Sequence, residues 1–265
     1  MTECSGLPAI EVYRLPTGRD LHLDICDNER FLISAAQYLQ ECFDDLLCKD
    51  ELLSNYIHQM QSLGLEAVIF GGWARDRLAE LINNRHHTSR DIDLVTHGSV
   101  SVEQALPSSA IRNPFGGFGT EASSIHLDSW DLPKTFLIRR HRLPVTFEQL
   151  PLTADYNVNA VVFKPMQFFH HASLLDSGAV SSLQTRVLDF VADEVAQPLF
   201  QAARAIILAV RLQCELSDTV RDFLVSVCNT NERRQVVVDG IRTYCILDLT
   251  DSAISFFESV MEDSQ

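Results

Sequence analysis

The chain has 265 residues, of which 46% are hydrophobic, and a formal net charge of −15 at pH 7. A chain of this length and composition can bury a core of its own, so a disordered protein is excluded, while the negative charge disfavours a large nucleic-acid footprint without excluding a local basic groove. No apolar run approaches the roughly 18 residues of a membrane helix, and the first ten residues lack the basic and apolar segments of a signal peptide, so the sequence predicts a cytoplasmic protein that does not cross a membrane.

Residues 1–64 are predicted to form an N-terminal helical extension. Asp27 and Asn28 are residue types that cap a helix, and the apolar residues after them recur at helical spacing. These residues are Phe31, Leu32, Ala35, Leu39 and Phe43. A second stretch with the same spacing contains Leu52, Leu53, Tyr56, Ile57 and Met60. Gly64 follows it as a natural helix end.

Residues 65–195 alternate between strand-like and helix-like segments, which predicts a domain of mixed α and β structure. The apolar run Glu66–Phe70 indicates a buried strand, and Gly71 and Gly72 after it indicate a tight turn. Alternating polar and apolar residues predict further strands. The remaining predicted segments are a helix at Arg75–Leu81 and strands at Asp91–Val95, Ile125–Asp128 and Tyr156–Phe163.

Residues 196–265 are predicted to be all-helical. Ala202–Leu212 has helical composition and few polar residues. Asp218 is placed to cap the next helix, and Asn231 the one after it. Phe256, Phe257 and Val260 belong to a last helix. The pattern indicates a small helical bundle.

Asp91 and Asp93 are the residues that indicate chemistry. In a strand, residues i and i+2 point to the same face, so the two carboxylates lie side by side. Like charges at this spacing repel each other unless a cation neutralises them, and Mg²⁺ prefers such hard oxygen ligands. A D-x-D pattern alone also decorates many exposed strands. Its weight rises here because it follows a strand, a Gly-Gly turn and a helix.

Gly71 and Gly72 open the predicted helix. Exposed N–H groups and the positive end of the helix dipole make such a turn a site for anions. A triphosphate held there would sit across from the two carboxylates. The alternative is a tight turn without a ligand.

Two segments carry a family resemblance. They are Gly71-Gly72-Trp73-Ala74-Arg75-Asp76-Arg77-Leu78 and Arg90-Asp91-Ile92-Asp93-Leu94-Val95-Thr96. Together they resemble the head domain of class II CCA-adding enzymes and bacterial poly(A) polymerases, which belong to the polymerase-β nucleotidyltransferase superfamily.

Further matches follow in the order of that family. Ala154–Ala160 is similar to the family's R-R-D-F-T-I-N-A, and Asp176–Val187 resembles its D-x-x-G hairpin and the strand after it. Arg204–Leu212 resembles the neck helix, and Asn231–Arg233 matches the neck's S-x-E-R. The resemblance thus extends over residues 65–245, and the conserved order of several short motifs gives it its weight.

The resemblance implies an α+β fold, with a small mixed or antiparallel sheet flanked by helices and an all-helical neck. The implied domains are residues 1–64 (extension), 65–195 (catalytic head) and 196–265 (neck). It also implies a two-metal mechanism, in which Asp91 and Asp93 hold Mg²⁺ or Mn²⁺ and a hydroxyl attacks the α-phosphorus of an NTP.

The remaining site residues also follow from the resemblance. The superfamily often adds a third carboxylate, for which Asp128 is the candidate and Asp131 the alternative. Arg75 and Asp76 either brace the glycine turn or touch the nucleotide. The implied nucleotide-binding residues are Gly71, Gly72, Arg75, Asp76, Arg90, Asp155 and Asn159.

The sequence also departs from the family. Thr153-Ala154 stands where the family has two arginines linked to sugar recognition, and Ala196–Phe200 replaces its E-D-P-x-R, which reads the base edge. Ala, Gln and Phe do not offer the same donors and acceptors, so addition of C and A in the family's manner is not expected. The long spacing between Gly72 and Asp91 predicts an inserted loop around residues 83–87.

The acceptor stays open between an RNA end, a protein and a small molecule. The family's body and tail, which grip tRNA, do not follow the neck, so an extensive tRNA grip is not expected. Arg139–Arg142 is either a solvated face or a contact for phosphates, and the glycine-rich segment Asn113–Gly119 indicates a turn near the active site. Two alternatives to an active transferase are an inactive interaction protein with this fold and a nucleotidylating toxin or defence protein.

Overall fold

The computed structural model describes residues 11–16, 28–113 and 116–263. The strands in this part of the chain are β1 (Val12–Arg14), β2 (Glu66–Phe70), β3 (Asp91–His97), β4 (Ile111–Arg112), β5 (Phe118–Glu121), β6 (His126–Asp131), β7 (Val161–Lys164), β8 (Ser173–Asp176), β9 (Val187–Leu188), β10 (Glu194–Ala196) and β11 (Glu215–Leu216). The helices are α1 (Glu29–Lys49), α2 (Glu51–Ser62), α3 (Gly72–Asn83), α4 (Phe136–His141), α5 (Ala179–Thr185), α6 (Pro198–Leu212), α7 (Asp218–Val227), α8 (Asn231–Tyr244) and α9 (Leu247–Glu262).

The central feature is a seven-stranded mixed sheet with the strand order β4-β5-β6-β3-β2-β7-β8. Strands β3 and β6 are parallel, and the other neighbouring pairs are antiparallel. Helices flank this sheet, and further helices follow it toward the C-terminus. The predicted α+β fold with a mixed sheet is therefore confirmed.

The chain divides into two compact units. One, here called the sheet unit, contains Leu23–Ala154 and Val158–Gln184 and holds the seven-stranded sheet. The other, here called the helical unit, contains Met1–His22, Asp155–Asn157 and Thr185–Gln265 and holds α6 to α9. The division into an extension, a head and a neck stays a prediction.

Helices α1 and α2 follow the predicted periodicity. Asn28 caps α1, where its Oδ1 accepts a hydrogen bond from the N–H of Phe31 at 3.1 Å. Ala35, Leu39 and Phe43 are buried, as the spacing predicts.

No helix in the described ranges is long and apolar enough to span a membrane.

The two faces of the sheet have different partners. On one face, Phe163 of β7 contacts the rings of Phe43 on α1 and Trp73 on α3, so these helices cover that face. On the other face, Val68 of β2 and Val95 of β3 are directly paired and belong to a buried cluster. The cluster is completed by Leu132, Ile138, Phe147, Leu150 and Val162. The second face is therefore apolar along this part of β2 and β3.

Two predictions about local structure need correction. The predicted strand Tyr156–Phe163 begins only at Val161, because residues Asn157–Asn159 form a 3-10 turn. The side chain of Asn157 bonds to the backbone of Val187 and Asp189, which draws this segment away from the strand ladder. The C-terminal region is also not purely helical, since β11 pairs in parallel with β9.

Candidate active site

The glycine turn forms where β2 meets α3. Gly71 has a φ of +65°, a backbone conformation that L side chains rarely adopt, so this position favours glycine. Its N–H donates to the carbonyl of Val161, and its own carbonyl accepts from the N–H of Arg75, which starts the helix. The first N–H groups of any helix lack an intrahelical acceptor. The turn therefore offers the donors of an anion site.

Strand register brings the carboxylates beside this turn. Phe70, the residue before Gly71, pairs directly with Asp93 on the adjacent strand β3. Asp93 pairs on its other side with Asp128 of the parallel strand β6. Paired residues share a face, and Asp91 shares it too by the two-residue period. We call this surface, defined by Asp91, Asp93 and Asp128, the carboxylate face.

The carboxylate face continues the face that carries the apolar cluster. Val95, two residues beyond Asp93, belongs to the cluster, and Trp130, two residues beyond Asp128, packs against it. Trp130 also contacts the ring of Phe70 edge to face at 6.4 Å. The three carboxylates therefore lie on the same face as the apolar cluster, next to it along the strands. Asp91 is exposed, and Asp93 and Asp128 are half-buried.

Asp128 has an unfavourable environment for its charge. Burial raises the pKa of the Asp128 carboxyl above its ordinary value, and the charge of Asp91 raises it further. The ring of His126 and a hydrogen bond from Asn113 lower this pKa, but not enough to reverse the shift. The ionised carboxylate is therefore destabilised in the folded protein, which is the expected state of an acidic cluster that binds a cation.

Replacing Asp128 by asparagine is expected to raise the thermal stability of the metal-free protein at neutral pH, by about 2 °C. Because the pKa of Asp128 is raised in the folded protein, the wild type loses stability as pH rises through that pKa and the carboxyl ionises. The asparagine amide does not ionise, so the variant does not lose this stability. Differential scanning calorimetry in EDTA at pH 7 and near pH 3 measures the effect. The advantage of the variant should vanish near pH 3. An equal advantage at both pH values would contradict the raised pKa of Asp128.

His126 is a site residue that the sequence interpretation did not include. It pairs with Asp91 across β3 and β6, so it lies on the carboxylate face. Its Nδ1 is 2.8 Å from Glu121, and its Nε2 is 3.7 Å from Asp128. The two-residue spacing between His126 and Asp128 would have been enough to find it.

Arg75, Asp76 and Asn159 form a buried polar network under the glycine turn. The guanidinium of Arg75 donates to Asp76 at 2.8 and 2.9 Å and to Oδ1 of Asn159 at 2.6 Å. Asp76 also accepts from the hydroxyl of Ser89, in the segment that leads to Asp91. These contacts support the alternative in which Arg75 and Asp76 brace the turn. Contact of the three residues with a nucleotide stays a prediction.

The other predicted nucleotide-binding residues lie in different settings. Gly72 is half-buried, and Arg90 is exposed next to Asp91. Asp155 belongs to the helical unit, where its carboxylate pairs with Arg204 at 3.1 Å and accepts from Gln201 at 3.0 Å. Burial raises the pKa of Asp155 despite these two partners. The role of Asp155 in nucleotide binding stays a prediction.

Asp131, the alternative third carboxylate, points away from the carboxylate face. It lies three residues after Asp128, so the two-residue period places it on the other face of β6. There it accepts hydrogen bonds from Ser101 and from the N–H of Val102, and it pairs with Lys134 at 2.7 Å. These contacts explain the lowered pKa of Asp131, which burial alone would raise.

The basic cluster Arg139–Arg142 lies at the end of α4 and is exposed. Helix α4 packs through Ile138 into the same buried cluster as Val95, so it lies over the face that carries the carboxylates. Arg140 lies over the ring of Phe136 at 5.9 Å. A solvated face and a contact for phosphates both stay compatible with this placement.

The residues present fit a magnesium site of two carboxylates. Among the described residues, no group of three or more His, Cys, Asp or Glu side chains is arranged to hold a metal ion. Mg²⁺, however, usually takes one or two carboxylates and completes its shell with waters and substrate phosphates. Asp91 and Asp93, beside a turn suited to phosphates, match that kind of ligand set.

Several solved structures share the fold. A tRNA-processing enzyme in its apo form has a TM-score of 0.54 and 18% identity, over 77% of this chain and 54% of its own. A CCA-adding enzyme in complex with ATP has a TM-score of 0.54 and 17% identity, over 79% of this chain and 51% of its own. The CCA-adding enzyme of Thermotoga maritima in complex with tRNA has a TM-score of 0.52 and 16% identity, over 78% and 51%.

These similarities establish the fold and not the activity. The chain spans about half the length of the solved structures that it matches. No protein-family model matches the sequence, and no curated protein does. What the protein does must therefore be argued from its own residues.

Proposed function

We propose that the protein is a metal-dependent nucleotidyltransferase, which transfers a nucleoside monophosphate from an NTP to a hydroxyl group and releases pyrophosphate. The observation that carries the proposal is the carboxylate face, where Asp91, Asp93 and Asp128 lie beside the glycine turn that opens α3. Solved structures with this fold are CCA-adding enzymes in complex with ATP and CTP, which supports an NTP as the donor.

Each residue has a role in the proposed reaction. Asp91 and Asp93 hold Mg²⁺ or Mn²⁺, which, when bound, neutralises the charge of the phosphates and of the leaving pyrophosphate. The N–H groups of the first turn of α3, which begins at Gly72, bind phosphate oxygens, and Arg90 adds positive charge beside them. We assign to Asp128 the role of accepting the proton of the attacking hydroxyl, because it lies beside the metal ligand Asp93 on the carboxylate face and is not itself assigned to the metal.

The proposed transfer forms one bond to the α-phosphorus and breaks another. The acceptor oxygen forms a bond to the α-phosphorus, the bond from the α-phosphorus to the bridging oxygen of the β-phosphate breaks, and the electron pair leaves with pyrophosphate. The hydroxyl proton passes to Asp128. Asn159 and Arg75 hold the glycine turn in shape beneath the phosphates.

The acceptor is proposed only as a hydroxyl group. One neighbour in fold is solved with tRNA, which supports an RNA end as one candidate. The net charge of −15 argues against a broad RNA-binding surface, so a protein and a small molecule remain candidate acceptors.

Incubation of the protein with each α-labelled NTP and Mg²⁺, with and without total RNA, is expected to give labelled product and pyrophosphate. EDTA should abolish both products, and added Mg²⁺ or Mn²⁺ should restore them. Mg²⁺ with a non-hydrolysable NTP should raise Tm by mass action, whereas neither ligand alone should have the full effect. A protein with no turnover and no Mg²⁺-dependent NTP binding would favour an inactive interaction protein instead.

The toxin alternative is distinguished by growth. Expression of the wild type should then stop growth of the host, and the Asp91→Asn variant should not. Equal growth with both proteins would exclude that role.

A further inference from the structure

Asn113, at the start of the turn between β4 and β5, is hydrogen-bonded to the catalytic candidate Asp128. The two residues are distant in sequence, and the contact crosses from the edge of the sheet to its third strand. A carboxylate only accepts hydrogen bonds, so the side-chain N–H of Asn113 is the donor.

The orientation of this amide is fixed by its own turn. Oδ1 of Asn113 accepts from the N–H of Gly117 at 2.9 Å, which leaves Nδ2 as the donor to Asp128. The N–H of Asn113 also donates to the carbonyl of Gly117 at 2.9 Å. Backbone and side chain of Asn113 are therefore both held by Gly117.

Gly117 places this turn against the strand of Asp128. A Cβ at Gly117 would lie 3.0 Å from the carbonyl oxygen of Ser129 and 3.2 Å from Cβ of Trp130. It would also lie 3.1 Å from Nδ2 of Asn113 itself. The two neighbours in β6 cannot yield, because one is backbone and the other is bound to it. Only glycine lets the turn lie this close to β6.

Asp128 needs such a contact because its other neighbours do not fix it. Asp91 repels it, and the Nε2 atom of His126 is 3.7 Å away, beyond hydrogen-bond distance. A half-buried carboxylate next to another carboxylate lowers its energy by turning away from it. An amide donor whose Oδ1 is held by the N–H of Gly117 opposes that rotation.

We propose that Asn113 is a positioning residue for nucleotidyl transfer: its amide holds the Asp128 carboxylate in the orientation that receives the proton of the attacking hydroxyl. This inference rests on the proposed function, and it adds Asn113 and Gly117 to the site as the residues that orient Asp128. Asn113 touches neither the nucleotide nor the acceptor in this role.

The Asn113→Asp variant tests the role with little change in shape. The new carboxylate can still accept from the N–H of Gly117, so the turn is kept, but it repels Asp128 instead of donating to it. We expect kcat to fall about 10- to 100-fold while KM for the NTP stays within about twofold, because orientation of a general base affects the chemical step. The same exchange at exposed Asn55 of α2 is the control and should leave both constants unchanged.

The Gly117→Ala variant is a second test that leaves Asn113 and Asp128 intact. Its methyl group should push the turn off β6 and lower kcat in the same direction. An active wild type whose kcat is unchanged in both variants would overturn the positioning role.

A double-mutant cycle reads the contact without any assay of activity. Asn113→Asp should lower Tm by about 3 °C in the wild type and by much less in an Asp128→Asn background, where the new amide can donate to the new carboxylate. Equal losses in both backgrounds would refute the contact. An inactive wild type with this coupling intact would refute the transfer reaction, and with it the role of Asn113 in catalysis, but not the hydrogen bond.

Discussion

Replacing Asp93 by asparagine is expected to reduce the rate of nucleotidyl transfer by on the order of 10³-fold or more, with the fold retained. Asp93 is the central member of the carboxylate face, since it pairs with Phe70 before the glycine turn on one side and with Asp128 on the other. The amide keeps the shape of the side chain but removes the negative charge that attracts a divalent cation. Asp91→Asn should have an effect of similar size.

The result is measured as single-turnover rates at saturating NTP over a range of Mg²⁺ concentrations. Loss of a metal ligand should shift the Mg²⁺ dependence to higher concentration as well as lower the maximal rate. Glu66→Gln, the same chemical change at an exposed position of β2, is the matched control. Activity within about threefold of wild type in Asp93→Asn would remove the carboxylate face from the mechanism.

The stability of the same variants separates a catalytic from a structural role. Carboxylates that face each other without a cation repel, so removing the charge of Asp91 should leave Tm unchanged or raise it in EDTA. Mg²⁺ with an NTP should stabilise the wild type and not Asp93→Asn. A structural carboxylate such as Asp50, which accepts several hydrogen bonds, would behave in the opposite way.

The carboxylate pair could be predicted from sequence because it depends on one local rule. Asp91 and Asp93 share a face in any strand, whatever the strand pairs with. The same rule puts Asp128 and Asp131 on opposite faces, because they are three residues apart, but only the pairing of β3 with β6 shows that Asp128 is the one beside Asp93. What the pattern does not contain is the register, which sets Phe70 opposite Asp93 and thereby brings the glycine turn to the carboxylates.

The contacts that complete the site are long-range and have no local pattern. The glycine-rich composition of Asn113–Gly119 predicts a turn from sequence alone. The hydrogen bond from Asn113 to Asp128, however, depends on how β5 pairs with β6. The strand predicted at residues 156–163 failed for a related reason. The side chain of Asn157 bonds to backbone groups 30 and 32 residues away, and these tertiary bonds replaced the ladder that the alternation predicted.

Asp50 holds the loop that leads into β6, although the residues around Asp50 in the sequence do not predict this contact. Its side chain caps α2 by accepting from the N–H of Leu53 at 3.0 Å. It also accepts from the N–H groups of Ser123 and Ser124 at 3.1 and 2.7 Å and from the hydroxyl of Ser124 at 2.8 Å. The next residues of the chain, from His126 on, form the strand of Asp128.

Replacing Asp50 by alanine is expected to destabilise the sheet unit by about 3–5 kcal/mol, because Asp50 is fully buried and four donors lose their acceptor. Total stabilities of about 5–15 kcal/mol are usual, so this one change brings the protein close to unfolding. Urea unfolding followed by circular dichroism measures it. Asp45→Ala removes an exposed carboxylate five residues earlier and should cost less than about 0.5 kcal/mol.

The pH dependence of stability identifies the hydrogen bonds as the cause. Burial alone would raise the pKa of Asp50, but the bonds from Leu53, Ser124 and Ser123 outweigh it and lower the pKa to about 2 from an ordinary value of 3.8. A depressed folded-state pKa contributes stability above pH 4 that is lost as pH falls toward 2, and the size of the shift corresponds to about 2 kcal/mol. The difference between wild type and Asp50→Ala should therefore shrink by that amount between pH 5 and pH 2. A difference that stays constant over this range would show that the variant acts through packing, and that the carboxylate does not hold the loop before β6.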